Sequence, residues 1–355
     1  MIEGPFPPTL ESALDVKRVN GVFATLVQER FGKHAQMRNV TVEHLQRRVI
    51  RYSVQIFDPE KQQIVEWQII GKVYKERDKM ERSFKKMQHL WENGFSREAG
   101  DGISIPEPFL FLPDLRLLLM EEVEGKPLRP LVKKMLATPD HMRLLARIAA
   151  KLHRCPIMPG EPFTAEDRLL HCDSEPGSIA QAYPHLADSI DYIYRTVRTI
   201  HMGIADNIYC LVHGDFHLGQ VYIKNGNVWI LDLDPLKYAD PALDLAEIFV
   251  FLKRTAKKEG KANYNYIETL RDAFLSEYFS RMDWEIAGRI PLYEGLLHLK
   301  RANKFLRVQD EEGWETKVEK VVEQAVACIR VMESRPTKLD LNKVIELYHR
   351  CPGTT

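Results

Sequence analysis

The sequence predicts an α+β fold made of two lobes, and three observations support this prediction. The first third of the chain contains five short runs rich in β-branched and aromatic residues, with one helical pattern between the third and fourth runs. From about residue 128 onward, apolar residues recur mostly at helical spacing. The exception is Asn225-Gly226, which lies between two short apolar runs and is a strong hairpin signal. We therefore expect an antiparallel five-stranded N-lobe with one helix, followed by a mostly helical C-lobe with an embedded hairpin.

These patterns divide the chain into three segments. Residues 1–37 are expected to form a helical extension, because apolar residues recur at helical spacing between Thr9 and Phe31. Residues 38–124 would form the N-lobe, and residues 125–355 the C-lobe. The expected strands lie at 40–42, 49–57, 64–74, 109–112 and 116–123, and the expected helix of the N-lobe lies at 77–93.

Composition and charge exclude several classes of protein. The 355 residues are 45% hydrophobic and 28% charged, which is ordinary for a globular chain and unlike a disordered one. Fifty basic and fifty acidic side chains leave no net charge, so the charge balance favours neither nucleic acid nor a membrane surface as a partner. No apolar run approaches the ~20 residues that a membrane span needs.

Cysteine usage and the start of the chain indicate a location. The five cysteines are scattered and form no CxxC pair, which indicates reduced thiols rather than a disulfide framework. The first residues lack the basic and apolar regions of a signal peptide. We therefore expect a cytoplasmic protein, and the sequence does not indicate an oligomeric state.

The residue types that carry chemistry are concentrated in three short segments of the C-lobe. These are 213–220 (HGDFHLGQ), 230–234 (ILDLD) and 239–246 (ADPALDLA). One carboxylate lies on a loop and a second lies beyond a hairpin, and carboxylate oxygens are preferred ligands of hard cations such as Mg²⁺.

In their order and spacing, these motifs resemble the aminoglycoside phosphotransferase and choline kinase-like superfamily, whose members are related to protein kinases. The resemblance covers roughly residues 40–310, and the segment 213–220 looks most like the maltokinase and glucosamine kinase branches. It implies a protein-kinase-like bilobal fold. It also implies an ATP- and Mg²⁺-dependent phosphotransferase that moves the γ-phosphate to a hydroxyl of a small molecule such as a sugar, an amino sugar or an aminoglycoside-like compound.

The resemblance also implies the residues of the site. Asp215 would orient or deprotonate the attacking hydroxyl, and Asp232 would hold Mg²⁺. The other implied roles are a metal contact by the side-chain carbonyl of Gln220, contact with the α- and β-phosphates by Lys72, an ion pair of Lys72 with Glu81 (or with Glu76), and adenine recognition by the backbone of Glu121 and Val123.

Further residues near these motifs have less specific interpretations. Asp240 and Asp244 are expected to brace the loop and to cap the next helix, since aspartate is a good N-cap. Asp234 is either a second metal contact or a surface charge, and His217 either bonds its own loop or touches the substrate.

Two departures from the superfamily pattern concern phosphate and metal binding. Gln220 stands where asparagine is commoner, which keeps the carbonyl but adds one methylene. The loop expected to cover the phosphates, residues 44–48, contains no glycine, so its backbone cannot approach phosphates as freely. Arg47 or Arg48 could contact the phosphates through the side chain instead.

The acceptor is expected to be a small molecule. Only seven residues separate Asp232 from Asp240, which leaves no room for the long segment that binds peptides in protein kinases. Acceptor contacts are expected beyond residue 245, with an acidic run at 310–312 interpreted mainly as surface charge. The unassigned candidates are Tyr264, Tyr266, Trp284, Tyr293, Glu294, Lys300, Arg301 and Lys304.

Three alternative functions remain open at the sequence level. The glycine-free loop would suit a nucleotide-binding pseudokinase with a regulatory or scaffolding role. A kinase-like enzyme could also transfer a nucleotide to a protein. Finally, His213, Asp215 and His217 alternate along the chain and could share a face, so that a metallohydrolase is conceivable.

Overall fold

The computed structural model describes residues 8–157, 160–172, 177–202, 209–257, 260–309 and 313–352. The acidic run at 310–312 lies outside the described residues. Contacts divide the chain into two compact units. The first comprises Met1–Gly125 together with Trp229–Asp234, and the second comprises Lys126–Val228 and Pro235–Thr355.

The first unit is built around an antiparallel sheet of five strands, as the sequence predicts. The strand order is β1-β2-β3-β6-β5, and each neighbouring pair is antiparallel. The turn between β1 and β2 contains Arg47, whose φ of 45° lies in the left-handed region. The elements of this unit are α1 (Pro8–Leu14), α2 (Val16–Phe31), β1 (Gln36–Gln46), β2 (Val49–Asp58), β3 (Gln63–Val73), α3 (Arg77–Leu90), β4 (Ile103–Ser104), β5 (Pro108–Leu112) and β6 (Leu117–Glu121).

The two N-terminal helices pack on this sheet and share its hydrophobic core. Phe23 of α2 lies 4.9 Å from Tyr52 of β2 between ring centroids, and the Tyr52 hydroxyl donates to the carbonyl of Ala13 at 2.6 Å. One continuous helix was expected here, but it is broken at Asp15. The Asp15 carboxylate accepts from the backbone N–H of Lys17 at 3.0 Å and so begins α2 as an N-cap.

The second unit is mostly helical. The segment Asn225-Gly226 turns between β9 and β10 with φ values of 50° and 80°, as expected for a two-residue hairpin. The last two residues of β10 belong to the first unit. The elements of the second unit are β7 (Lys126–Pro127), α4 (Leu128–Lys133), α5 (Pro139–His153), α6 (Ala165–Cys172), α7 (Ser178–Ala182), α8 (Ala187–Met202), β8 (Cys210–Val212), β9 (Val221–Lys224), β10 (Asn227–Ile230), β11 (Lys237–Ala239), α9 (Ala242–Lys257), α10 (Gly260–Phe279), α11 (Ile290–Val308), α12 (Trp314–Glu333) and α13 (Leu341–Arg350).

Short strands frame the segments that carry the candidate site residues. β8 pairs with β11 in antiparallel register, with Val212 opposite Lys237. β7 pairs with β9, with Lys126 opposite Ile223. The α+β fold predicted from the sequence is therefore confirmed. Among the described residues, no helix has the length and apolar character to cross a membrane.

Candidate active site

Strand β3 places Lys72 on the face of the sheet opposite the core. Side chains alternate along a strand, so that Gly71 and Lys72 point to opposite faces. A Cβ atom at Gly71 would lie 2.7 Å from Cε2 of Tyr52 and 2.9 Å from Cδ1 of Leu117, so only glycine fits there without a shift in the core. The close packing at Gly71 thus fixes the strand beneath Lys72.

Lys72 is ion-paired with two aspartates that lie 160 and 162 residues further along the chain. Its Nζ is 2.6 Å from Oδ1 of Asp232 and 2.9 Å from Oδ2 of Asp234. Burial lowers the pKa of Lys72, but the attraction of Asp234 and Asp232 outweighs burial, and the pKa is raised overall. The ammonium group therefore stays charged while it holds both carboxylates.

Asp234 is held from several sides. Its Oδ1 accepts from the hydroxyls of Tyr74 at 2.6 Å and Ser83 at 2.5 Å, and its backbone carbonyl accepts from Lys86 at 3.2 Å. Burial raises the pKa of Asp234, but the charge of Lys72 and these hydrogen bonds lower it further than burial raises it. Asp234 is therefore a fixed carboxylate rather than a surface charge.

Asp232 is the more accessible of the two carboxylates. Its side chain is 39% exposed, compared with 17% for Asp234. Its backbone φ of 55° is in the left-handed region, which residues other than glycine seldom adopt and which aspartate tolerates better than most. Two hard carboxylate oxygens at this place fit a divalent cation such as Mg²⁺.

The expected ion pair between Lys72 and Glu81 is not formed, because Glu81 has another partner. Oε1 of Glu81 accepts from Nε of Arg77 at 2.8 Å, one turn earlier on α3. The alternative, Glu76, is the residue before α3 and caps no backbone N–H with its side chain. The acidic partners of Lys72 are Asp232 and Asp234, and a role of Glu81 in nucleotide binding stays a prediction.

The segment expected to read adenine follows β6 and is held by polar contacts. The Glu121 carboxylate accepts from the backbone N–H of Glu107 at 3.1 Å and is ion-paired with Arg97. Oε1 of Glu122 accepts hydrogen bonds from Nη2 of Arg51 at 2.6 Å and from Nε of Arg51 at 3.0 Å. These contacts fix the backbone on both sides of Glu122, where the carbonyl of Glu121 and the amide of Val123 were expected to act.

In the second unit, Asp215 lies on the loop between β8 and β9, and the glycine before it shapes this loop. Gly214 has a φ of 80°, and a Cβ there would lie 2.7 Å from the carbonyl oxygen of Pro235. Only glycine fits this conformation and this approach. Asp215 is half-buried, as is Gln220 at the other end of the loop.

A buried carboxylate from α9 anchors this loop. Asp244 accepts from the backbone N–H groups of His213 at 2.7 Å and Gly214 at 2.9 Å, as expected of a bracing residue. His153 lies 3.1 Å from the same carboxylate and 2.7 Å from the hydroxyl of Tyr278. Burial raises the pKa of Asp244, but the hydrogen bond and charge of His153 reverse this, and the pKa is lowered.

Asp240 caps the helix that carries Asp244. Its Oδ1 accepts from the backbone N–H of Ala242 at 3.0 Å, and its carboxylate is paired with Arg289 at 2.6 Å. Burial lowers the pKa of Arg289, but the charge of Asp240 outweighs it and raises the pKa. The expected capping role is confirmed.

His217 turns toward its own loop, which argues against a metallohydrolase. Its Nδ1 accepts from the backbone N–H of Gly219 at 3.1 Å, and its Nε2 lies 3.5 Å from the side-chain nitrogen of Gln220. Burial lowers the pKa of His217, which favours the neutral ring. In the part of the chain that the structure describes, the close group of metal-ligating side chains is a different one and does not include His213, Asp215 or His217.

Sequence reasoning missed two residues near Asp215. Glu247 follows Asp244 by about one helical turn, and its Oε1 lies 3.3 Å from Nη2 of Arg168, a side chain only 2% exposed. Burial raises the pKa of Glu247, and the charges of Asp215 and Asp244 act in the same direction. Nε of Arg168 has no hydrogen-bond partner among the described residues. The sequence signal for Glu247 is the acidic residue that ends Asp-Leu-Ala-Glu, but an acidic residue in a helix is typical of the helix surface.

The expected acceptor residues are distributed over the second unit. Tyr293 and Glu294 are buried in its core. Trp284 stacks on Phe279 at 4.4 Å, and the Tyr266 hydroxyl donates to the carbonyl of Ala137. The structure therefore does not bring these four candidates together into one site, whereas Lys300 lies near enough to Glu247 for its charge to lower the pKa of that carboxyl.

Comparisons with known structures identify the fold. An ADP-bound aminoglycoside phosphotransferase, APH(2'')-Ib, is 15% identical with a TM-score of 0.52, covering 88% of this chain and 98% of its own. Amicoumacin kinase hAmiN, in complex with AMP-PNP, Ca²⁺ and Ami, is 13% identical with a TM-score of 0.55, covering 92% and 99%. Ethanolamine kinase from Plasmodium vivax is 14% identical with a TM-score of 0.51, covering 94% and 97%. At these identities the likeness shows a shared fold.

Comparisons at the level of sequence add the family. No curated protein sequence gives a significant match. The model of the phosphotransferase enzyme family matches residues 38–284, which include Lys72, Asp215 and Asp232. The nearer resemblance to maltokinases and glucosamine kinases stays a prediction. Since this match spans more than half of the chain, the protein belongs to the phosphotransferase enzyme family.

Proposed function

We propose that this protein is an ATP- and Mg²⁺-dependent kinase that phosphorylates a hydroxyl group of a small molecule. The observation that carries the proposal is the ion pair of Lys72 with Asp232 and Asp234, which joins a phosphate-binding cation to metal-binding carboxylates in the first unit. The family match supports the reaction type. We infer the acceptor class to be a sugar, an amino sugar or an aminoglycoside-like compound.

The residues of the first unit would bind the nucleotide. Lys72 would donate to phosphate oxygens, which offsets negative charge on the triphosphate. The backbone of Glu121 and Val123 would hydrogen-bond the adenine edge. Asp232 would hold Mg²⁺, and the metal when bound would compensate the charge that develops on the phosphate oxygens.

The residues of the second unit would act on the acceptor. The acceptor hydroxyl attacks the γ-phosphorus, the bond to the β-phosphate oxygen breaks, and ADP leaves. The hydroxyl proton moves to the carboxylate of Asp215, which the loop holds in place. Asp244 keeps that loop in position through two backbone hydrogen bonds, and Glu247, whose pKa is raised by burial and in part by the charge of Asp215, would contact the acceptor beside that residue.

Similar proteins support a small acceptor. Structures with TM-scores above 0.5 include an APH(2'')-IIa complex with streptomycin and ATP and the amicoumacin kinase complex. Each of these complexes contains a nucleotide together with a small molecule. The short interval between Asp232 and Asp240 supports the same class of acceptor for this chain.

The test is ADP release from Mg·ATP across a panel of sugars, amino sugars, aminoglycosides and amino alcohols. We expect one acceptor class to stimulate ADP release and to yield a product heavier by one phosphoryl group. Asp215→Asn should lower this turnover by about 10²–10⁴-fold with little change in ATP affinity, because the carboxylate acts only on the acceptor hydroxyl. Asp188→Asn, at an exposed position of α8, is the matched control and should keep full activity.

Three results would contradict the proposal. Full turnover in Asp215→Asn would exclude the assigned role of this carboxylate. Binding of Mg·ATP without ADP release on any acceptor would favour the pseudokinase, and transfer of adenylate to a protein would favour the nucleotide-transfer alternative.

A further inference from the structure

A buried group of ligating side chains lies in the helical unit, among residues to which the proposed reaction gives no role. Glu294 of α11, Cys328 of α12 and Cys351, which directly follows α13, are 1%, 0% and 2% exposed. One ligand atom from each residue lies within 4.8 Å of the ligand atoms of the other two.

Only one of the two carboxylate oxygens of Glu294 has a hydrogen-bond partner within the described residues. Its Oε1 accepts from Nζ of Lys253 at 2.6 Å, an ion pair in which Lys253 is 6% exposed. Its Oε2 has no hydrogen-bond partner within the described residues, although it is fully buried. A buried carboxylate oxygen without a donor is unfavourable, so the arrangement calls for a positive group at Oε2.

We propose that Oε2 of Glu294 and the sulfur atoms of Cys328 and Cys351 bind a zinc ion, whose fourth tetrahedral position would be taken by water. Two thiolates and one carboxylate form a donor set that zinc accepts, and thiolates select against Mg²⁺ and Ca²⁺. The Lys253 ion pair stays intact, because it uses the other carboxylate oxygen.

The geometry needs only a small adjustment. Tetrahedral zinc with bonds of about 2.3 Å to sulfur and about 2.1 Å to oxygen places its ligand atoms roughly 3.6–3.8 Å apart. The three atoms lie within 4.8 Å of one another, so side-chain shifts of up to about 1 Å would close the site.

The charge of the cluster is balanced when zinc is present. Two thiolates and the Glu294 carboxylate carry three negative charges, while zinc and Lys253 together carry three positive charges. A neutral total is what a buried site requires, since an uncompensated charge is strongly unfavourable in the interior. Lys253 thus completes the site rather than opposing it.

A disulfide between Cys328 and Cys351 is the competing interpretation. It would join the same two segments but would leave Oε2 of Glu294 without a partner. It would also need an oxidant such as a small-molecule disulfide. Because zinc would give Oε2 of Glu294 a partner and a disulfide would not, we favour zinc binding over a disulfide.

The experiment measures the zinc content of the full-length protein, expressed with zinc and purified without chelators or added thiols. We expect about one zinc ion per chain by mass spectrometry of the metal, since the three ligating side chains are buried together. Cys328→Ser and Cys351→Ser should each reduce the zinc content about tenfold or more. Cys172→Ser, which removes a buried thiol of α6, is the matched control and should keep the metal.

Cobalt gives a second readout that does not depend on the stability of the variants. The wild-type protein is stripped of metal and reloaded with Co²⁺, and thiolate ligands then produce a charge-transfer absorption in the near ultraviolet. We expect this absorption, and we expect Zn²⁺ to abolish it by displacement. A zinc-free wild-type protein whose melting temperature does not change with added Zn²⁺ would overturn the proposal. A protein lighter by two hydrogens under non-reducing conditions would overturn it in favour of the disulfide.

Discussion

Asp232 and Asp234 are separated by one residue, yet their surroundings differ. Asp234 accepts hydrogen bonds from two hydroxyls and pairs with Lys72, so it is a fixed part of the first unit. Asp232 shares Lys72 but is more exposed and has a left-handed backbone. Such backbone conformations cluster at functional sites, where the surrounding structure stabilises them. We therefore propose that Asp232 makes the metal contact and that Asp234 supports Lys72.

The first prediction concerns the acid stability contributed by Asp234. Because its pKa is lowered in the folded protein, its contribution is present above the unfolded value of ~3.9 and is lost as the pH falls through the folded value. Asp234→Asn should lower the free energy of unfolding by about 1–3 kcal/mol at pH 7. The difference from wild type should shrink below about pH 4.

Urea unfolding between pH 3 and pH 7 measures this difference. Asp78→Asn, at an exposed position of the neighbouring helix α3, serves as the control and should change stability by less than about 0.5 kcal/mol. A difference for Asp234→Asn that stays constant down to pH 3 would refute the lowered pKa.

At the scale of single elements, the packing of strand β3 depends on the absence of a side chain at Gly71. A methyl group at this position meets Tyr52 and Leu117 at less than 3 Å. Gly71→Ala should therefore lower the free energy of unfolding by about 1–3 kcal/mol, because a well-packed core does not accept extra volume. It should also weaken ATP binding, since Lys72 is the next residue on the strand.

A second glycine provides the matched control for this prediction. Gly21 lies in the exposed part of helix α2 with nothing within 4 Å of an added Cβ atom. Gly21→Ala should raise the free energy of unfolding by about 0.5–1 kcal/mol, because alanine favours helix. Chemical denaturation checks both variants, and equal effects of the two substitutions would show that the contact with Tyr52 does not matter.

Helix α9 affects the loop of Asp215 through a single buried carboxylate. Asp244→Asn removes the charge that two backbone N–H groups and His153 share. We expect a loss of about 3 kcal/mol in the free energy of unfolding, because the hydrogen bonds involve a charged and fully buried group. We also expect kcat to fall while the affinity for ATP is kept.

Urea unfolding and single-turnover assays check this prediction. Asp191→Asn, on the exposed face of helix α8, is the control and should leave both measurements within error. If Asp244→Asn lost stability but kept full kcat, the carboxylate would support only the fold and not the position of Asp215.

At the scale of the whole molecule, nucleotide binding should appear as thermal stabilisation. A ligand that binds only the native state adds about 2.7 kcal/mol at a hundredfold excess over its Kd. We expect Mg·ATP to raise the melting temperature of the wild-type protein and to have little effect on Lys72→Met. Lys61→Met, in the exposed turn before β3, should respond like wild type. No shift in the wild-type protein would contradict nucleotide binding.

Much of the fold could be predicted from the sequence because its signals are local. The five strands follow from β-branched and aromatic runs, and the hairpin turn follows from Asn225-Gly226. The break at Asp15 was not predicted, since the apolar spacing continues through it. The capping ability of aspartate decided that boundary.

The contacts of the candidate site were less predictable because they join distant parts of the chain. The motifs indicated Lys72 and Asp232. Sequence spacing could not show that Lys72 forms its ion pair with Asp232 while Glu81 forms one with Arg77. Glu247 was missed for a similar reason, because an acidic residue on a helix is usually solvent-exposed. Its side chain is ion-paired with Arg168 of α6, a contact that sequence spacing does not show.

The short segment Trp229–Asp234 is counted with the first unit, although more than one hundred residues separate it from the rest of that unit. A break in the chain after Gly125 would therefore yield an N-terminal fragment that keeps Lys72 and lacks both of its carboxylate partners. Such a fragment would expose a half-buried lysine and two hydroxyls, those of Tyr74 and Ser83, without an acceptor. Recombination between related genes at this apparent boundary should thus yield hybrids in which the lysine and its aspartates come from different parents. Such a hybrid should fold only if the two parental sequences have the same residues at Lys72, Asp232 and Asp234.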